Sequence, residues 1–275
     1  MEDLKVIQHN VLKWTVPRAN ELYNIYRQID PDIILLNSTG RKQNEKVKLF
    51  GYKAYQRNYF NEEHAGIAIA VKNNIQHKIN DNNDGDVMGV EVETNQGNIM
   101  IITAYAPPRH NIQELQSITN LMRKTIPVYC FADLNARHPA FGYDRPNPMG
   151  RGLANLMDRN IITYLGPDFK TYITQNAATS PDIALGNRHA YLNLNIKEGP
   201  VSSSDHIPMF IRLATKPIAI LGRKTWKIHK ANWPKFKDQL TTNMEKVNAN
   251  ENRRLTKNEI EKEMEKWFDA MREMP

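Results

Sequence analysis

The chain has 275 residues, 40% hydrophobic and 24% charged, with a mean hydropathy of -0.62. No apolar run approaches the ~20 residues that cross a bilayer, which argues against a helical membrane protein and leaves room for one large soluble domain or two small ones. The net charge is +7 at a pI of about 9.3, and it is uneven: 23 Lys+Arg face 21 Asp+Glu through residue 215, and the remaining 14 face 9. A nearly neutral body followed by a basic tail suits a polyanion, and a solubilising linker is the alternative for the tail. The single cysteine, Cys130, fits a reducing compartment. Its apolar neighbours in VYCFA favour a buried structural thiol over a nucleophile.

MEDLKVIQHN has no signal-peptide stretch and reads as the start of a buried strand, Leu4–Asn10. Arg18–Gln28 has helical spacing through Leu22, Ile25 and Tyr26, and Asp30-Pro31 stops it. The apolar run Ile33–Leu36 predicts a buried strand. Gly66–Val71, Asp86–Glu93 and Asn98–Tyr105 predict three more. Ile112–Lys124 is helical. Pro127–Ala132 is a strand running straight into Asp133-Leu134-Asn135. Gly150–Arg159 is a helix with Leu153, Leu156 and Met157 on one face. Thr171–Ile173, Asp182–Leu185, Ala190–Ile196 and Pro208–Leu213 complete the predicted strands. This pattern predicts an α/β protein, and its adjacent strand pairs favour two packed sheets over one doubly wound sheet.

The style changes near residue 215. Trp226–Lys237 is basic and irregular, Asn232–Val247 has helical character, and Thr256–Met274 carries capping-box spacing and an apolar stripe. The division expected is a body, 1–215, and a connector, 216–275. The stripe and the abrupt ending MREMP suggest a fragment of a longer chain.

Polar residues stand at the ends of apolar strands: Asn10 in IQHN, Asp133 and Asn135 in FADLN, Asp182 in SPDIAL, Asp205 and His206 in SSSDHIPM. Phosphodiester cleavage needs an activated water, neutralised phosphoryl oxygens and a stabilised leaving oxygen. Carboxylates suit a hard metal such as Mg²⁺, and a histidine oriented by a carboxylate serves near neutral pH. Each signal alone has a bland reading as a turn or helix cap.

Together, ITAYAPP, FADLNARHPAFG, SPDIAL and SSSDHIPM resemble the endonuclease/exonuclease/phosphatase superfamily, which includes DNase I and the apurinic/apyrimidinic endonucleases. The resemblance runs from about Lys5 to Leu213 and is strongest to the endonuclease of jockey-type non-LTR retrotransposons. It implies a four-layer α/β sandwich of two mixed sheets flanked by helices, with a C-terminal helical tail similar to the connector toward a reverse transcriptase. It implies a DNA-nicking enzyme that uses Mg²⁺ or Mn²⁺ and leaves a 3′-OH to prime reverse transcription. Its partners would be DNA, the element RNA and the reverse transcriptase domain, and it would act in the nucleus. Asn10 matches an asparagine near the metal and scissile phosphate. Tyr105 and Thr171 match phosphate contacts. Asp133 and Asn135 match the GDxN motif, with Ala132 in place of its glycine. Asp182 matches the aspartate behind the catalytic histidine, and Asp205 and His206 the terminal SDH motif. Arg137 and His138, beside the GDxN-like segment, are candidate substrate contacts, as are Arg145 and Arg151 nearby. His9 precedes Asn10, so strand alternation turns it to the opposite face in a packing role.

One position departs. Ser38, in LNSTG, stands where the resemblance places a metal-binding glutamate, and a hydroxyl is a much weaker Mg²⁺ ligand than a carboxylate. Glu62 or Glu63 supplying the charge, Asp205 with Asn10 or Asn37 holding the metal, and a weakened DNA-binding module are the competing explanations. Retained activity is favoured, because the resemblance extends to members with serine here. A small phosphoester substrate is a further alternative on this fold, disfavoured by the basic tail.

Overall fold

The computed structural model describes residues 3–42, 44–58, 65–80, 86–107, 113–220, 232–235, 237, 238, 241 and 242. It divides into two compact units, Met1–Leu221 and Gly222–Pro275.

The first unit is built on two six-stranded sheets. The first sheet has the order β13-β14-β1-β2-β4-β3, from β1 (Leu4–Asn10), β2 (Ile33–Asn37), β3 (Tyr52–Arg57), β4 (Ile67–Lys72), β13 (Leu194–Glu198) and β14 (Met209–Leu213). The second has the order β5-β6-β7-β8-β12-β9, from β5 (His77–Asn80), β6 (Val87–Thr94), β7 (Gly97–Ala104), β8 (Val128–Asp133), β9 (Ile162–Gly166) and β12 (Asp182–Asn187). Both sheets are mixed: β1 runs parallel to β2, β7 parallel to β8, and the other pairs are antiparallel. A two-stranded ribbon, β10 (Tyr172–Ile173) and β11 (Ala178–Thr179), stands apart.

Alternation along the central strands explains the layers. Val6, Leu35, Ile69, Ile101 and Phe131 meet between the sheets. Their neighbours Ile7, Leu36 and Ala70 face helix α1 (Val16–Ile29), which buries Leu22 and Tyr26 on them. Ile102, Cys130 and Ile183 face α2 (Gln113–Met122) and α3 (Pro148–Asp158) on the other side. The result is helix, sheet, sheet, helix, each layer burying an apolar face that a lone sheet would leave in water. Cys130 is fully buried there, and burial pushes its thiol up to about 12, so it packs and does not react.

Five strands differ from the sequence-based expectation, and all are sheet edges. β3, β5, β9 and β11 have no predicted counterpart, and β13 begins at Leu194 where a strand from Ala190 was expected. Edge strands are less fully covered, so polar side chains are tolerated along them, and KAYQR and HKIN show little alternation. The body also runs past residue 215. The backbone N–H of Asn95 donates to Lys216 O, that of Ile218 to Glu93 O, and Thr94 bridges to Pro217.

In the second unit, residues 233–235, 237–238 and 241–242 are helical, and Asn232 Oδ1 caps them by accepting from the Lys235 N–H (3.1 Å). The expected helix at Thr256–Met274, the rest of Asn232–Val247, Trp226, and Glu62 and Glu63 lie outside the described residues.

Candidate active site

The parallel pairing of β1 with β2 sets Asn10 beside Asn37, and β12 pairs with β8 so that Asp182 lies beside Asp133. Tyr105 bridges to Asp133, and the turn before β14 carries Asp205 and His206 to the same end. The C-terminal ends of β1, β2, β7 and β8 and the N-terminal end of β12 therefore converge. They open onto a cleft of about 360 Å³ lined by Asn10, Ser38, Tyr105, Asp133, Asn135, Arg137, Asp205 and His206 among others.

Two buried carboxylates organise it. Asp133 accepts from Asn10 Nδ2 on one oxygen (2.7 Å) and from Asn135 Nδ2 on the other (2.9 Å). Asp182 accepts from Gln8 Nε2 on Oδ1 (2.8 Å) and meets His206 Nδ1 on Oδ2 (2.8 Å). With Nδ1 engaged by the carboxylate, the free Nε2 is the nitrogen left for a ligand. Burial works against a charged His206, but the charge and hydrogen bond of Asp182, with the charges of Asp133 and Asp205, outweigh it and raise His206 to about 9. Burial, and then the charge of Asp182, push Asp133 well above the usual carboxylate range. The site thus pairs an imidazolium with a carboxyl group poised to take up a proton.

Ligand atoms of Asp133, Asp182 and His206 lie within 4.8 Å of one another, a spacing that suits a cation. Every oxygen of the two carboxylates already accepts a hydrogen bond, however, and His206 Nδ1 is spent on Asp182, so this trio reads better as an acid–base cluster. Asp205 differs: its Oδ1 is buried with no hydrogen-bond partner, and the residue lines the cleft with Asn10 and Ser38. An orphaned carboxylate oxygen is what a hard cation would satisfy. Ser38 faces the cleft at φ +55°. Asn37 is a correction to the expected ligand set. It is fully buried, accepting from Gln8 and donating to Thr103 Oγ1 and Ala104 O, and it is not part of the cleft lining.

Helix α1 secures both loops beside the site. Arg18 donates to the carbonyls of Val11 and Leu12 and to Ser203, while Glu21 accepts from the N–H and hydroxyl of Ser203. Ser204 Oγ then donates to Asn10 O (2.7 Å), joining the SSSDH segment to the end of β1.

The endonuclease-reverse transcriptase family matches residues 99–210, which hold Tyr105, Asp133, Asn135, Asp182, Asp205 and His206. The chain is 29% identical over 234 residues to a probable RNA-directed DNA polymerase from transposon X-element of Drosophila melanogaster, covering 79% of this chain and 25% of that protein. It is 23% identical to the RNA-directed DNA polymerase from mobile element jockey of Drosophila funebris, covering 78% and 24%. The chain thus spans about a quarter of the length of these relatives. The endonuclease domain of TRAS1, a telomere-specific non-LTR retrotransposon, superposes with a TM-score of 0.62 at 18% identity, over 77% of this chain and 98% of that one. The Xenopus laevis APE2 catalytic domain superposes at 0.57 and 16%, over 79% and 94%. The fold is that of the endonuclease/exonuclease/phosphatase superfamily. Within it the chain resembles the endonuclease region of jockey-type retrotransposon polyproteins.

In this endonuclease-like domain two candidate substrate contacts lie elsewhere. Thr171 is fully buried, with its Oγ1 accepting from the Asp182 N–H (3.2 Å), so it holds the loop behind His206 and is absent from the cleft lining. The next residue, Tyr172, lines the cleft, and its ring packs edge-on to His206 at 5.0 Å. His138 caps a short 3₁₀ turn and lines a separate hollow with Arg151. Arg137 lies in the cleft and is exposed. Gln8, Tyr143 and Tyr172 escaped the sequence reading. Only Gln8 carried a signal, being two residues before Asn10 and so on the same strand face.

The Asn135–Arg137 loop is held by Asn147, which caps α3, donates to Asn135 O (2.7 Å) and accepts from the Arg137 N–H (3.0 Å). This approach needs Gly150, because a Cβ there would sit 1.8 Å from Arg137 O. Gly150→Ala is expected to cost roughly 1–3 kcal/mol by forcing the backbones apart. Urea unfolding measures it, and a variant as stable as the wild type would contradict this packing.

His9 is buried on the α1 side, as alternation predicts, against Tyr26 Oη (3.1 Å) and Ser202 Oγ (3.3 Å). Burial lowers it from 6.5 to about 3. The unfolded chain therefore takes up a proton below pH 6.5 that the folded chain refuses. Its contribution is intact above 6.5 and lost as pH falls toward 3, on the order of a few kcal/mol. His9→Gln should flatten the acid limb of the stability curve, and an unchanged limb would count against it.

Proposed function

We propose that this domain is a divalent-metal-dependent DNA endonuclease that nicks one strand and leaves a 3′-OH, from which the reverse transcriptase of a longer polyprotein copies the element RNA. The observation that carries the proposal is that His206, held from behind by Asp182, lines the same cleft as the Asn10–Asp133–Asn135 cluster. Water attacks the phosphorus, the P–O3′ bond breaks, and the products are a 5′-phosphate and a 3′-OH. Asp133, raised by burial, accepts the proton that water loses. The imidazolium of His206 donates to a non-bridging oxygen and offsets its growing charge. Asn10 and Asn135 hold Asp133 in place, Tyr105 and Arg137 contact the phosphate, and the departing O3′ takes a proton from solvent.

The donor set fits Mg²⁺ or Mn²⁺ at Asp205, with Asn10 and Ser38 beside it. Such an ion would supply Lewis-acid neutralisation of the phosphoryl oxygens. The intact acid–base cluster does not favour a purely DNA-binding module. Residues 222–275 serve in this reading as the basic connector, and the site of action is nuclear. Among the described residues no helix is long and apolar enough to cross a membrane.

Supercoiled plasmid should convert to open circle with Mg²⁺ or Mn²⁺ and not with EDTA. Folded protein that nicks under neither ion would end the proposal. Ser38→Glu adds a carboxylate to the cleft and should lower the ion concentration for half-maximal nicking several-fold. An unchanged requirement would place the ion away from Ser38.

A further inference from the structure

We infer that Gln8, on β1, is a positioning residue that holds Asp182, and through it His206, from the opposite sheet. The inference rests on the nuclease reading above. Gln8 is fully buried between the sheets. Its Nε2 donates both protons, one to Asp182 Oδ1 (2.8 Å) and one to Asn37 Oδ1 (2.8 Å). The orientation of this amide is settled by its neighbours. Asp182 only accepts, and Asn37 must turn its oxygen to Gln8 because its Nδ2 donates to the carbonyl of Ala104 (3.0 Å) and to Thr103 Oγ1 (3.1 Å).

This orientation leaves Gln8 Oε1 buried without a partner. Buried carbonyls are almost always paired, and an orphan is costly. A side chain selected only to join the sheets would be apolar, like Val6, which precedes it on the same face of β1. What the amide provides is a donor at the one oxygen of Asp182 that His206 does not use, with its second proton anchored on Asn37. That bond stops the carboxylate rotating, so the histidine approaches the cleft in one geometry. The relay runs His206, Asp182, Gln8, Asn37, Thr103 and crosses from one sheet to the other and back.

The test compares nicking kinetics of the wild type, Gln8→Met and Asp182→Ala, with Gln8→Met also made in the Asp182→Ala background. Gln8→Met keeps volume and removes the donor. It should lower kcat about tenfold or more, with KM for DNA within about twofold, because the loss falls on orientation and not on binding. In the Asp182→Ala background the same substitution should change kcat by less than about twofold, since the partner is gone. Equal losses from Gln8→Met in both backgrounds, or a fall confined to KM, would overturn the inference. Should Gln8→Met fail to fold, Gln8→Leu takes its place, with the same expected fall in kcat and the same contrary results. A wild type that does not nick ends the nuclease reading and this inference with it. A wild type that nicks no faster than Gln8→Met ends this inference alone.

Discussion

Replacing His206 with alanine is expected to lower the plasmid nicking rate by about 10²–10⁴-fold, the range for losing one positioned acid–base group. His206 belongs to the cleft lining, and its Nδ1 is fixed 2.8 Å from Asp182 Oδ2. Asp133→Ala should fall by a similar factor, because both oxygens of that carboxylate are oriented by asparagine amides. The two effects should not add fully, since the residues act on one event. The His206 variant also has a stability signature. A histidine raised to about 9 contributes stability that is present below the unfolded value of 6.5 and lost as pH rises through 9. The stability gap between wild type and variant should thus be larger at pH 6 than near pH 10. His206→Gln is the control that retains a donor for Asp182 while losing the charge, and it should recover stability better than activity. Folded alanine variants that nick at the wild-type rate would show that the chemistry lies elsewhere.

Asp205→Ala is expected to separate activity from stability. The Oδ1 of Asp205 is buried and without a hydrogen-bond partner, a cost to folding in EDTA, while the charge of the carboxylate favours the His206 imidazolium and offsets that cost. Because the two effects oppose each other, removing it should change Tm in EDTA little. The same change should raise the Mg²⁺ concentration for half-maximal nicking about tenfold or more, because a principal oxygen ligand is lost. The rise in Tm that Mg²⁺ gives the wild type should also disappear, since an ion that binds only the folded chain stabilises it by mass action. A variant that loses stability in EDTA while keeping its Mg²⁺ response would assign Asp205 a structural task and leave the cation to other residues.

The central strands were legible in the sequence because they are buried on both faces. LKVIQHN, IILLN, GIAIAV and VYCFAD read as apolar runs, and the structure places each in the interior of a sheet. The edges were not legible. β3 and β5 half-expose short polar stretches, β9 is the short run ITYLG, and their partner on one side, which strand spacing does not encode, is what makes them strands. The same distinction holds for the site. Asn10, Asp133, Asp182 and His206 stood out because each is polar at the end or the flank of an apolar strand. Thr171 seemed a substrate contact and Asn37 a metal helper, yet Thr171 is turned inward by the Asp182 N–H and Asn37 by bonds to Thr103 and Ala104, far along the chain.

The sequence by itself determined the layered α/β class, the inert Cys130, the inward packing of His9 and the set of strand-end polar groups, since these follow from local alternation and composition. The tertiary structure alone decided which of those groups meet. Gln8 reaches Asp182 across 174 positions and Asn10 reaches Asp133 across 123, distances over which no periodicity carries information. It also decided their protonation, because burial and the neighbouring Asp182 raise Asp133, while the carboxylates around His206 outweigh its burial. Alternation tells which way a side chain points, and only the pairing of strands from opposite sheets tells what it points at.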